Sequence, residues 1–499
     1  MMPRAIPFSR ILMALLCGVF ISIPFLMTQY PPITDLPQHS AQIRLFLETL
    51  GNPSQSAYKI QWLTPYSVSY AVLGGAWALF GPLNAGRMAM LAIVLLWVGS
   101  IHGIAWKRDR SGAAACVASV FALNHVINWG FYSFAIGFPA FCLWFALTSE
   151  RDSSTKPIVR GLTLLVTAFL LYISHVLWFA AGVLWLGLSG LILRRDVRGS
   201  VRDLALLLPL FVAIWFWYPL FSHSSMATPA LWVSGPLDRL TFSAICDSAL
   251  GGIRGPTELI VLGAAFAWIG LGLLQHRTNL VELIDWPLLL AGGMFFTLAV
   301  VLPDKYMNTI RFGQRWMPPA LIMFVLALPS PAVRPLIRRA AAIALVAIFC
   351  IFVSKAWLNF EHTELSGLPQ ALKALPESPR VVGLAFGNKS DFVKGYPFIQ
   401  MFAYAQALKG GTLNFSFAEW SPCLVVYKKP FVRPWTRGLE WFPQRVQESD
   451  LNYFDYALFM GPDELYTKLA HDPRLAPVTT TGRWRLYRIR ARQNDLHPK

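Results

Sequence analysis

The chain has 499 residues, of which 55% are hydrophobic and 14% charged, and its mean hydropathy is +0.48. Such a composition excludes an ordinary soluble domain and, together with several uninterrupted apolar runs, indicates a polytopic membrane protein. The formal net charge of +17 would suggest nucleic acid as the partner of a soluble protein. Here many basic residues stand between apolar runs, so we interpret them as a topology signal and predict no nucleic-acid partner.

The first apolar run, residues 11–27, follows the basic residue Arg10, as the core of a signal peptide would. The run is long and no small-x-small cleavage site precedes the Tyr-Pro-Pro that ends it, so we interpret it as a retained span. The six cysteines lie far apart in the sequence, without a CxxC motif or a cluster with histidine. This spacing predicts neither structural zinc nor an obligatory disulfide framework.

The first polar segment, residues 31–50, predicts a helix that starts at Asp35. Asp35 suits the N-cap position and Gln38 the third helical position, which together would form a capping box. An apolar stripe at i, i+3, i+4 and i+7 follows, formed by Ile43, Phe46, Leu47 and Leu50. Polar residues including Gln42 lie away from that stripe, so we predict an amphipathic helix along the membrane surface.

Further spans are predicted, in chain order, at residues 88–106, 113–129 and 134–147, two within 161–193 with a turn near Ser174 and His175, then 204–220, 259–274, 286–302, 316–328 and 340–353. Residues 66–80 are apolar but short, and we interpret them as a second juxtamembrane or re-entrant helix. This choice places the basic loops at 107–110, 194–202 and 334–339 in the cytoplasm, as the positive-inside rule requires. It gives about eleven spans and an external C-terminus.

From Lys355 onward the sequence changes to that of a soluble domain of ordinary size. Strands are predicted at residues 380–386, 456–460 and 484–489, and helices at residues 398–408 and 463–470. We therefore predict an all-α polytopic membrane domain at residues 1–354, with its first external loop at residues 28–86. A small α/β extracytoplasmic domain follows at residues 355–499.

On this topology the polar groups suited to chemistry lie on the external face. They are Asp35 and His39 in the first loop, Asn124, His125 and Asn128 in the second, His175 in the third, and Arg311 and Arg315 in a late loop. The cytoplasmic loops carry mostly basic residues. We therefore expect any reaction to take place outside.

This layout resembles the GT-C glycosyltransferases over roughly residues 10–355. The shared features are a first span, an external loop with an acidic residue, a short apolar helix ending in FGPLNAGR (residues 80–87), many further spans and a late external arginine. The similarity is greatest to bacterial members that transfer sugars from polyprenyl-phosphate donors, the class that contains the aminoarabinose and protein mannosyl transferases.

The resemblance implies that Asp35 activates an acceptor hydroxyl as general base or binds a divalent cation, although a helix cap alone is the alternative. His39, one turn further on, could share the acceptor proton, and otherwise is a surface histidine. Arg315 and, four residues before it, Arg311 would bind the donor phosphate, since arginine supplies a fixed bidentate fork. The alternative for both is an arginine that reaches to lipid headgroups at a helix end.

The sequence departs from better-known family members in the second external loop, which has no second acidic residue. It offers Asn124, His125 and Asn128 instead. Together with His175 they could bind a hydroxyl-rich acceptor, or they could be polar caps at span ends. No protein metal site is predicted, apart from the cation alternative at Asp35.

The leading prediction is an inner-membrane glycosyltransferase whose partners are a polyprenyl-phosphate-linked sugar, a glycan or lipid acceptor and membrane lipids. A transporter or flippase of lipid-linked intermediates is the second interpretation, although the predicted spans are nearly free of charge at mid-depth and show no repeat. A non-catalytic partner in envelope polysaccharide assembly is the third, favoured by the missing second carboxylate.

Overall fold

The structure is a computed structural model that describes residues 7–490 apart from residues 63, 151–155, 223–228, 308 and 388. In the described residues the α-helices are α1 (Phe8–Met27), α2 (Leu36–Gly51), α3 (Ser67–Lys107), α4 (Gly112–Ser119), α5 (His125–Trp129), α6 (Tyr132–Thr148), α7 (Pro157–Ser174), α8 (Val176–Leu188), α9 (Val197–Ala205), α10 (Leu208–Ser222), α11 (Phe242–Ala249), α12 (Thr257–Gln275), α13 (Leu280–Leu283), α14 (Trp286–Val301), α15 (Met317–Ala327), α16 (Pro335–Asn359), α17 (Leu368–Ala374), α18 (Tyr404–Lys409), α19 (Glu448–Leu451) and α20 (Asp463–Leu469). The strands are β1 (Tyr58–Ile60), β2 (Lys305–Tyr306), β3 (Thr309–Ile310), β4 (Arg380–Ala385), β5 (Thr412–Leu413), β6 (Val425–Tyr427), β7 (Tyr456–Met460), β8 (Leu475–Pro477) and β9 (Trp484–Ile489).

The chain divides into two compact units. Unit 1 comprises Met1–Leu26, Pro65–Ser69 and Met90–Ser354, and unit 2 comprises Met27–Thr64, Tyr70–Ala89 and Lys355–Lys499. The first polar loop, which the sequence analysis placed with the membrane domain, thus packs in the same unit as the C-terminal region.

Unit 1 contains most of the apolar helices. In the described residues seven helices are long and apolar enough to cross a membrane, or eight if the pair α9 and α10, bent by 54°, forms one span. Two shorter apolar helices, α6 and α14, accompany them. The protein is therefore a multi-pass membrane protein, although the predicted count of eleven spans is not confirmed. The predicted turn between α7 and α8 is confirmed, because His175 separates them.

The segment at residues 66–80 leads directly into the next span, and a break in the helical backbone at one glycine separates the two. α3 is 41 residues long, which would be about 60 Å if straight and is twice the thickness of the hydrocarbon core. Gly81 interrupts it with φ 74° and ψ 170°, and Pro82 follows. Only glycine tolerates that backbone conformation without strain, so the break is specified by the sequence.

Unit 2 contains the α/β region predicted from the sequence. A five-stranded sheet has the order β5-β4-β7-β9-β8, in which β4 pairs in parallel with β5 and β7 while β9 pairs antiparallel with β7 and β8. β7 and β9 begin and end where the sequence predicted them. One face of the sheet covers a core that includes Val382, Leu384, Phe454, Phe459 and Tyr487.

α2 differs from the predicted surface helix in the face that it buries. Gln38 and Gln42 are 0% and 1% exposed, whereas Leu47 and Leu50 of the predicted apolar stripe are 43% and 53% exposed. The Gln42 side-chain amide donates to Val425 O at 3.1 Å and accepts from Val425 N at 2.9 Å. The polar face is buried because it pairs with backbone groups of unit 2, a partner that helical periodicity cannot reveal.

Candidate active site

The two units each hold part of the predicted site. Asp35 and His39 belong to unit 2, while Asn124, His125, His175, Arg311 and Arg315 belong to unit 1. Each group is described separately below.

Asp35 occupies the N-cap position of α2, as predicted, but its side chain does not cap the helix. Its carboxylate accepts no hydrogen bond from the first-turn N–H groups. Gln38 is engaged elsewhere, donating to Gln400 Oε1 at 2.9 Å and to Phe415 O at 3.1 Å and accepting from Phe417 N at 3.1 Å. The predicted capping box is therefore wrong, because the glutamine that would complete it binds the C-terminal region.

The surroundings of Asp35 combine an imidazole, a phenol and a thiol. The backbone N–H of His39 donates to Asp35 O at 3.0 Å, and the His39 ring lies 6.0 Å from that of Tyr70 and 5.2 Å from that of Phe417. Burial, reinforced by the Asp35 carboxylate, raises the pKa of Cys423 to about 12. The thiol is thus held protonated, while the carboxylate lies at a helix N-terminus that favours its charge.

The FGPLNAGR segment supports the start of α2. Arg87 donates through Nη2 to Asn84 Oδ1 at 2.8 Å and through Nη1 to Thr28 O at 2.6 Å. A Cβ added to Gly86 would lie 2.6 Å from Leu36 Cδ2 and 2.7 Å from Ser40 Oγ. α3 and α2 therefore approach so closely that a larger residue at position 86 would displace side chains of α2, and the contact with Leu36 lies one residue from Asp35 along the chain.

Arg315 lies in a short 3-10 helix, Gln314–Trp316, and is buried in unit 1. It is only 5% exposed, so the interpretation as an arginine that reaches to lipid headgroups is wrong. Its guanidinium carbon is 3.7 Å from the ring centre of Phe131 and 5.6 Å from that of Phe134, and Nη2 donates to Ile310 O at 2.9 Å. Aromatic faces and a carbonyl thus hold its planar group in one orientation.

His175 and His125 lie near this guanidinium. The His175 ring is 5.5 Å from the Phe134 ring and 4.8 Å from the Tyr66 ring, and its Nδ1 accepts from Leu177 N at 3.1 Å. Since Nδ1 accepts, the neutral ring carries its proton on Nε2. The positive charge of Arg315 is close enough to act on both imidazoles.

His125 is the least satisfied polar group of the cluster. It is 1% exposed, and neither ring nitrogen has a hydrogen-bond partner of good geometry among the described residues. The charges of Arg311 and Arg315 both act on it. Because an unsatisfied buried imidazole is costly, His125 is suited to bind a ligand that supplies oxygen atoms.

Arg311 does not share a helical face with Arg315, although their four-residue spacing would place them on one face of a helix. β2 and β3 pair antiparallel, and Arg311 follows β3 with a left-handed φ of 54°. The helix starts only at Gln314, so the two arginines are brought close by a hairpin and a turn instead. The i, i+4 spacing was misleading because the residues before Arg311 form strands instead of a helix, and strands of only two residues leave no recognisable sequence pattern.

Asn124 is a helix cap. Its Oδ1 accepts from Val126 N at 2.9 Å and from Ile127 N at 3.3 Å, and its Nδ2 donates to Phe121 O at 2.7 Å. Asn128 donates to Leu250 O at 3.2 Å. The capping alternative therefore accounts for Asn124.

Sequence reasoning missed two aromatic components of the site, Phe131 and Tyr66. Phe131 follows Gly130, whose left-handed φ of 79° ends α5, and such a C-terminal glycine is the signal that could have located it. No sequence signal pairs Tyr66 with His175.

The fold is that of a multi-pass membrane protein. In its unit 1, Arg315, His125 and His175 form a buried polar cluster suited to bind an anion. No protein-family model matches the chain, and no curated protein is significantly similar to it. Among solved structures, ArnT from Cupriavidus metallidurans in the apo state matches with a TM-score of 0.54 and 14% identity, over 97% of this chain and 98% of that one.

The structure of ArnT from Cupriavidus metallidurans bound to undecaprenyl phosphate matches with a TM-score of 0.51 and 13% identity, over 95% of this chain and 97% of that one. The chain therefore shares the fold of these ArnT structures over nearly its whole length, and the predicted helical membrane fold with a small α/β region is confirmed.

Proposed function

We propose that the protein is a membrane glycosyltransferase that transfers a sugar from a polyprenyl-phosphate-linked donor to an extracytoplasmic glycan or lipid acceptor. The observation that carries this proposal is the buried Arg315 cluster, in a chain whose fold matches a protein solved with undecaprenyl phosphate. A buried guanidinium held flat by aromatic rings presents its fork to phosphate oxygens. His125 and the Nε2–H of His175 supply further groups for oxygen atoms.

Asp35 is proposed to activate the acceptor. Its carboxylate takes the proton of the acceptor hydroxyl, whose oxygen forms a bond to the anomeric carbon of the sugar. The bond from that carbon to the phosphate oxygen breaks, and its electron pair leaves with the polyprenyl phosphate. Arg315 and Arg311 stabilise the charge that develops there. His39, one turn after Asp35, is proposed to relay the proton to solvent.

The proposed location is the inner membrane, with the C-terminal region of unit 2 on the extracytoplasmic side. The basic loops at residues 107–110 and 194–202 support that orientation. Alkaline phosphatase fused after Lys355 should be active and, fused after Arg198, inactive. The reverse pattern would contradict the orientation.

The direct test follows the fate of a labelled donor. Purified protein in vesicles is incubated with polyprenyl-phosphate sugars that carry a label in the sugar, together with envelope glycan or lipid acceptors. A transferase moves the label into the acceptor and releases polyprenyl phosphate, and Arg315→Ala should abolish both. If the donor remains intact while its label crosses the vesicle membrane, the protein is a transporter and the proposal is wrong.

A further inference from the structure

A group of metal-ligating side chains lies in unit 1 apart from the residues discussed so far. Cys17 of α1, His102 of α3 and Cys116 of α4 place one sulfur or nitrogen atom each within 4.8 Å of one another. Cys17 and Cys116 are both 0% exposed. The three residues are far apart in the sequence and follow no ligand motif, so only the packing of three helices brings them together.

The imidazole of this group provides an independent sign of a missing partner. His102 Nε2 is buried and has no hydrogen-bond partner among the described residues. A buried nitrogen in that state loses its interaction with water without replacement, which is uncommon in folded proteins. A metal ligand role for this imidazole would account for its position beside two thiols.

We propose that Cys17, His102 and Cys116 form a binding site for a thiophilic divalent cation, for which zinc is the best match. Two thiolates and an imidazole exclude magnesium and calcium, which require oxygen ligands. A divalent ion with two thiolates and a neutral imidazole has no net charge, whereas a monovalent ion would leave one negative charge buried among apolar helices.

The geometry suits tetrahedral coordination. Zinc–sulfur bonds of about 2.3 Å place two sulfur ligands about 3.8 Å apart, and the three ligand atoms already lie within 4.8 Å. Bringing the three ligand atoms onto one ion therefore requires side-chain adjustments and no helix rearrangement. The fourth position would be taken by water or by a further ligand.

An access path reaches the group. A groove of about 760 Å³ between α1 and α3 is lined by His102, Gly103, Gly18 and Ser22, with Arg10 also on its wall. Two of these residues are glycines, so the backbones leave room beside the imidazole. His102 itself lines this mostly apolar groove, so the groove leads to the imidazole side of the group.

Metal binding would link the first span to the helices that follow. Cys17 lies midway along α1, whereas His102 and Cys116 lie near the end of α3 and in α4. An ion that binds only the folded arrangement stabilises it by mass action. This role is structural and independent of the proposed glycosyl transfer.

Cobalt titration tests the site directly. Full-length protein in detergent is reduced, stripped with a chelator and titrated with Co²⁺, whose thiolate charge-transfer absorption reports sulfur ligation. We expect one equivalent to bind and Zn²⁺ to displace it. Cys17→Ser and Cys116→Ser should lose the absorption, and His102→Asn, which keeps both thiols, should bind more weakly.

Cys142→Ser is the matched control, because Cys142 is also a buried free cysteine but belongs to no metal-ligating group in the described part of the chain. It should bind cobalt as the wild type does. Size-exclusion chromatography confirms that each variant is folded. The proposal is overturned if reduced wild-type protein shows no thiolate–cobalt absorption, or if Cys17→Ser and Cys142→Ser bind equally.

Discussion

Replacing Arg315 by lysine separates a phosphate fork from a simple positive charge. Lysine keeps the charge but loses the planar group that lies 3.7 Å from the Phe131 ring centre and the bond from Nη2 to Ile310 O. An arginine cation–π contact contributes about 0.5–2 kcal/mol. A hydrogen bond to a charged group contributes about 1.5–3 kcal/mol.

Lysine would lose one of the two hydrogen bonds that the arginine fork is proposed to donate to the phosphate. We therefore expect Arg315→Lys to weaken binding of a polyprenyl phosphate by about 1.5–3 kcal/mol. This corresponds to roughly 10- to 150-fold in Kd. Binding of the lipid phosphate to purified wild type, Arg315→Lys and Arg315→Ala measures it. Arg277→Lys, at an exposed position, is the control and should bind normally. Wild-type affinity in a correctly folded Arg315→Lys protein would refute the role of the fork.

Three further predictions concern the support of the site. Gly86→Ala should lower the Tm and cost about 1–3 kcal/mol of folding free energy, because the new Cβ would meet side chains of α2. Gly74→Ala is the control and should be neutral or stabilising, because a Cβ there meets nothing within 4 Å. Equal effects of the two substitutions would contradict the close approach of α3 to α2. Asn124→Ser should keep both stability and activity and Asn124→Ala should lose about 0.5–2 kcal/mol of stability, so a stable but inactive Asn124→Ser protein would restore Asn124 to the site. Burial disfavours the charge of Asp304, but bonds from backbone N–H groups and from Arg239 at 2.7 Å outweigh it and hold its pKa below the ordinary value. The contribution of the ionised Asp304 to folding stability is therefore complete above the unfolded carboxyl pKa of about 3.9 and is lost as the pH falls through the lower pKa of the folded state. Asp304→Asn should consequently make the Tm fall less steeply below about pH 5. An unchanged slope of Tm against pH would contradict this prediction.

Patterns within one element were predictable from the sequence. β7 and β9 were located to the residue because their apolar or alternating character is local. The turn at His175 was located because a polar pair interrupts a run too long for one span. The resemblance to the GT-C glycosyltransferases rested on the order of such elements and on FGPLNAGR, in which Gly81 has a left-handed φ and Gly86 lies against side chains of α2.

Features that depend on partners distant in the sequence were not predictable. Gln42 has a polar side chain on a helix, and only the backbone of Val425 makes it a buried residue. Arg311 and Arg315 have helical spacing, but pairing of β2 with β3 removes the helix. The grouping of Cys17 with His102 exists only after α1 and α3 pack together.

Glycosyl transfer by Asp35→Asn protein tests the central claim most directly. Asparagine is nearly isosteric with aspartate, and the Asp35 side chain makes no cap hydrogen bond that the change would remove, so folding and membrane insertion should be unchanged. A neutral amide cannot take the acceptor proton, and loss of a positioned base costs about 10²- to 10⁴-fold in rate. In the labelled-donor assay Asp35→Asn should therefore reach normal protein levels with transfer reduced by that factor, and Asp35→Glu should be intermediate. Full transfer by Asp35→Asn would contradict the account of this site.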